Sequence, residues 1–129
     1  MTNKEIIRQK LRVKSVTIGT SRTAAFSSGE YHMDEDSDYL AEQHMRYIVA
    51  IILIGDGSGS RIVDIEKYEE DGSYTMKFDD VPIAPADVRQ LPPNGYSIED
   101  PILTLEGGTN LYLKADAGSP KATIIYWDK

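Results

Sequence analysis

A chain of 129 residues, 40% hydrophobic and 27% charged, is long enough to bury one core without covalent staples. It contains no cysteine, which excludes disulfides and thiolate metal sites, and only His32 and His44 to offer to zinc. A net charge of −7 disfavours nucleic acid and anionic membranes as partners, and the longest apolar run, Tyr47 to Ile54, is too short to cross a bilayer.

The first ten residues, MTNKEIIRQK, lack the apolar core of a secretory signal, so the expected product is soluble and made in a cytoplasm. Two readings of this segment compete. One is a short helix capped by Thr2 or Asn3 with Glu5 in its first turn; the other is an extended arm lying on a neighbouring subunit. Leu11 to Ile18 reads as a first strand. Leu11 and Val13 share one parity and Val16 and Ile18 the other, which predicts a bulge near Ser15.

The stretch from Gly19 to Ser37 is mostly small and polar, with a weak strand expected around Thr23–Phe26 and then a long loop. Tyr47 to Ile54 is apolar at both parities and rich in Ile and Val, as a central strand is. A strand over Arg61–Tyr68 follows, and Asp71-Gly72 marks a tight turn because both central residues of a type I′ turn need positive φ. Ser73 to Asp79 alternates, with Tyr74, Met76 and Phe78 expected on one face and Thr75 and Lys77 on the other.

Five of the six prolines fall between Pro82 and Pro101. Val81–Pro85 and Leu91–Gly95 are therefore expected to be connections or edge segments, since proline cannot donate to a ladder. Strands are predicted over Ile102–Glu106, Asn110–Ala115 and Lys121–Trp127. The pattern is all-β: an antiparallel sandwich of seven to eight strands, jelly-roll or immunoglobulin-like, over residues 11–129, with residues 1–10 as an N-terminal arm.

The glycine-rich stretch Leu53-Ile54-Gly55-Asp56-Gly57-Ser58-Gly59-Ser60 invites a catalytic reading. It fails the phosphate-loop pattern at Ser60 and Arg61, and the nucleophile-elbow pattern at Asp56 and Ser60. A strand, not a helix, follows it, so it reads as a hairpin turn. Asp34, Asp36 and Asp38 have the alternate spacing of the first calcium-loop ligands, although Tyr39 and Met45 stand where that loop needs glycine and glutamate. They are the candidate calcium site; a solvated acidic loop is the competing reading. His32 and His44 have no positioned partner legible from spacing, and no enzyme is expected. The tyrosines could line a sugar-binding face or simply serve as strand formers.

The C-terminal half has a distinct rhythm: Asp87–Tyr96 (DVRQLPPNGY), then Pro101–Ala115 (PILTLEGGTNLYLKA), then Ala122–Trp127 (ATIIYW). It resembles the small β-sandwich virion proteins of tailed bacteriophages, in which an apolar strand, a glycine-then-threonine turn, a strand ending in Lys-Ala and a last strand closing on an aromatic recur. The resemblance implies a non-enzymatic virion protein, most of all a head decoration (cement) protein, bound to the major capsid protein or neighbouring virion subunits as a homo-oligomer. No catalytic residue is implied. Lys4, Ile6, Ile7, Arg8 and Lys10 are the expected partner-binding residues, because Lys4, Arg8 and Lys10, with Arg12 and Lys14, make this segment basic on an otherwise acidic protein. The alternative is a carbohydrate- or receptor-binding sandwich, assisted by calcium.

Overall fold

The computed structural model describes residues 2–27, 40 and 44–129. One helix, α1 (Asn3–Lys10), is followed by β1 (Arg12–Thr17), β2 (Thr23–Ala24), β3 (Met45–Ile54), β4 (Arg61–Tyr68), β5 (Tyr74–Ile83), β6 (Val88–Leu91), β7 (Leu103–Glu106), β8 (Asn110–Ala115) and β9 (Lys121–Asp128). All strand pairs are antiparallel. They form two sheets, in the orders β1-β9-β3-β6 and β2-β8-β4-β5, with β7 also against β3.

β7 lies along Met45–Ile48 and β6 along Ile51–Ile54, so the two share one strand position beside β3. The chain then pairs first strand with last (β1 with β9), second with next-to-last (β2 with β8), third with β6 and β7, and fourth with fifth. A long hairpin rolled up on itself has this connectivity, which makes the sandwich a jelly roll rather than an immunoglobulin-like fold. The core fills the space between the sheets. Ile48, Ile51 and Leu53 of β3 and Ile124 of β9 face Ile65 of β4 and Leu111 and Leu113 of β8, all fully buried. Each such side chain contributes about 1.5–3 kcal/mol by leaving water.

β3 is apolar at both parities because both of its faces are covered. Its register shifts between Ile48 and Ala50, leaving Val49 as the extra residue. Val49 turns to the outer face, where it is buried with Ile7 and Ile98 against Leu11, Ile125 and Trp127. Of the two readings of the N-terminal segment the helix is the one formed: residues 3–10 are α1, with Thr2 Oγ1 accepting from the Glu5 amide at 3.2 Å, and Ile7 pins that helix to its own sheet. The bulge expected at Ser15 is absent, since β1 keeps one register with β9 from Arg12 to Thr17. Its mixed parity arises because Leu11 closes α1 and packs outside, while Val16 packs on the core.

Other expectations shift for similar reasons. β5 has two extra residues relative to β4, so Met76 lies opposite Glu66 on the outside while Phe78 lies opposite Ile65 and packs on the core. Tyr74, Met76 and Phe78 therefore do not share a face. β5 continues through Pro82 to Ile83 as an edge strand, where a missing amide is tolerated. β6, inside the proline-rich region, was not foreseen; its four residues become a strand by pairing with Ile51–Ile54.

At one end of the roll, Arg46 is fully buried. It donates to both carboxylate oxygens of Asp128 at 2.7 and 2.8 Å, and its guanidinium lies 4.2 Å from the Phe26 ring centroid and 4.6 Å from that of Tyr126. The planar cation is thus paired with a carboxylate and packed against two neighbouring rings, a combination lysine cannot reproduce.

Candidate interaction surface

The glycine-rich stretch joins β3 to β4 as a turn held by Asp56. The Asp56 carboxylate accepts from Arg61 Nε at 2.8 Å, from the Ser58 amide at 2.9 Å and from the Ser119 amide at 3.0 Å. The Arg61 contact first, then the two amides, hold its carboxyl far below the usual range. Gly55 donates to Asp87 O at 3.0 Å and lies so close to residues 84–85 that a Cβ would overlap the Ala84 and Pro85 carbonyls. Glycine here serves close backbone approach, not a ligand.

The expected partner-binding residues come together on α1, over the outer face of the β1-β9-β3 sheet. Two open clefts flank the helix. Lys4 and Arg8 line one, of about 460 Å³, with Tyr96, Ser97 and Ile98 opposite. Asn3, Ile6, Ile7 and Lys10 line the other, of about 490 Å³, together with Glu99, Trp127 and Lys129. Lys4, Arg8 and Lys10 are exposed, and so are Ile6 and Tyr96, whereas Ile7 is spent on holding the helix down. The result is a basic rim around apolar footholds. Beneath it Trp127 stacks on Tyr47 with ring centroids 4.5 Å apart, and its buried indole Nε1 meets no acceptor among the described residues. Leaving such a donor unpaired costs about 1–3 kcal/mol. Sequence reasoning missed Tyr96 and Glu99, whose role depends on the loop before β7 folding under α1.

The candidate calcium residues Asp34, Asp36 and Asp38 lie outside the described residues, as does His32. His44 is exposed, with Nδ1 3.3 Å from the Lys129 backbone oxygen. Elsewhere the extra residues of β5 bring Asp79 and Asp80 against Asp64 of β4, with carboxylate oxygens within 4.8 Å of one another. Asp80 takes φ 51°, a conformation aspartate tolerates better than most residues, and its amide donates to Asp64 Oδ1 at 2.8 Å. The negative charge of Asp80, then desolvation, then Asp64 raise the Asp79 pKa. Three carboxylates so placed could hold a divalent cation. Sequence spacing could not reveal them, because only the β4–β5 pairing closes the gap between residues 64 and 79.

The tyrosines divide by location. Tyr126 is in the core and Tyr47 lies under α1, while Tyr68, Tyr74 and Tyr112 meet on the outside of the other sheet. Burial first, then Tyr74 and Tyr68, raise the Tyr112 pKa, so its phenol is neutral at any physiological pH.

No protein-family model, curated protein or solved structure matches the chain. Its fold and surfaces define it as a jelly-roll β-sandwich with distinct chemistry on its two outer faces: cations and a docked helix on one, tyrosines and carboxylates on the other.

Proposed function

We propose that this chain is a non-enzymatic structural protein of a tailed-phage virion: a decoration protein that binds the major capsid protein on the head surface as an oligomer, with the α1 face as its docking surface. One observation carries the reading. On a molecule of net charge −7, Lys4, Arg8 and Lys10 surround two clefts that also offer the exposed side chains of Ile6 and Tyr96. Such a basic, half-apolar patch complements an acidic protein surface and steers its approach. The buried Trp127 Nε1 adds a donor that a partner carbonyl or carboxylate would satisfy once α1 shifts. The resemblance of residues 80–129 to small virion proteins points the same way, and jelly rolls recur among viral capsid domains, although a fold alone does not assign a role. Immunogold labelling tests it, using antibodies to the chain on particles of the phage that encodes it. Label over the heads is expected; particles free of the protein would overturn the proposal.

A further inference from the structure

We infer that the outer face of the β2-β8-β4-β5 sheet binds a neutral oligosaccharide, seated on Tyr68, Tyr74 and Tyr112. Three strands deliver one ring each. Tyr68 of β4 stands directly opposite Tyr74 of β5, and Tyr112 of β8 lies on the other side of β4, opposite Glu66. Ring centroids are 5.2 Å apart for Tyr68 and Tyr74, 5.7 Å for Tyr68 and Tyr112, and 5.4 Å for Tyr74 and Tyr112. The rings are partly exposed, and α1 covers the opposite sheet, so no described helix or strand lies over them.

The polar groups beside the rings are preset. Arg22 donates through Nε and Nη2 to the two carboxylate oxygens of Glu66 at 3.1 and 3.2 Å, and its guanidinium sits 3.8 Å from the Tyr74 centroid. That pairing uses two of the five guanidinium donors and leaves three. No hydrogen bond within the described residues engages the hydroxyls of Tyr68, Tyr74 or Tyr112.

Aromatic facets, bare hydroxyls and a fixed donor–acceptor pair match a pyranose, which presents C–H faces for dispersion contact and hydroxyls that both donate and accept. Charge selects among glycans. Arg22 pairs with Glu66 and Lys114 stands opposite Asp64, so the charges beside the rings cancel and offer no excess cation to a sulfated, phosphorylated or uronic polymer, on a protein that carries −7 as a whole.

This site lies on the sheet opposite α1 and does not depend on the docking proposal. The test is titration of the isotope-labelled full chain with maltohexaose, cellohexaose, laminarihexaose and a mannohexaose, with a heparin hexasaccharide as the anionic control, each to about 10 mM. At least one neutral hexasaccharide should cause saturable shifts at Arg22, Tyr68, Tyr74 and Tyr112. Tyr74→Ala and Tyr112→Ala should each weaken it about tenfold, equivalent to 1.4 kcal/mol. Tyr74→Phe and Tyr112→Phe, which keep the rings and remove only the hydroxyls, control for misfolding and should weaken binding less. Silence from all four neutral glycans, shifts confined to α1, or preference for heparin would overturn the inference.

Discussion

Arg46 shows how much one side chain can organise. Its charge is fully buried, so it is tolerable only because Asp128 pairs with it and the Phe26 and Tyr126 rings pack against it. Truncation removes the ring contacts and strands a partly buried carboxylate. Arg46→Ala should therefore destabilise the protein by about 3–5 kcal/mol, read from urea unfolding at neutral pH. Arg46→Lys keeps the charge but loses the paired geometry, and should fall between the two. An alanine variant as stable as the parent would show that the cation is incidental. The glycine-rich turn teaches the same lesson at smaller scale. Gly55 is needed where it touches the backbone of Ala84 and Pro85, whereas Gly57 meets nothing and is needed only for its φ of 82°.

Among the elements, β5 is the one whose irregularity has electrostatic consequences. Its extra residues place Asp79 beside Asp80 and Asp64, and the resulting repulsion, with some desolvation, raises the Asp79 pKa. The sign follows from linkage. A carboxyl with a raised folded-state pKa favours the folded protein when protonated, and that advantage is lost as pH rises through the raised value. Asp79→Asn mimics the protonated form. In calcium-free buffer it should raise the urea midpoint at neutral pH and have little effect near about pH 3, where the wild-type carboxyl is already protonated. A lower midpoint at neutral pH would mean that the Asp79 charge is satisfied. The helix is the second instructive element. Eight residues make a marginal helix alone, so α1 depends on Ile7 packing against Val49 and Ile98.

For the whole molecule, the basic rim around α1 makes association the property to measure. The variant Lys4→Glu/Arg8→Glu/Lys10→Glu reverses the α1 rim without touching Ile7. Its stability should change by less than about 1 kcal/mol, since these residues are exposed and act on the fold chiefly through the helix dipole. On the proposed decoration role, its binding to phage heads should be lost, with co-sedimentation as the readout and light scattering reporting the mass of the free chain. Heads that still retain the variant would remove α1 from the docking surface.

The sequence by itself determined the all-β class, because alternation, β-branched runs and glycine turns are local signals that each strand carries on its own. The helix-start signal at Thr2 and Glu5, the turn character of the glycine-rich stretch and the cation-rich N-terminus were legible for the same reason. What only the tertiary structure decided depends on pairing across long separations. Jelly-roll connectivity chose between two sandwiches that share one strand pattern. The extra residue at Val49 and those in β5 re-aimed side chains whose parity alone pointed elsewhere. β6 became a strand through its partner β3. The Tyr68, Tyr74 and Tyr112 cluster and the Asp64, Asp79 and Asp80 group exist only because antiparallel register brings residues distant in the chain to one face, and register is a property of two strands rather than of either one.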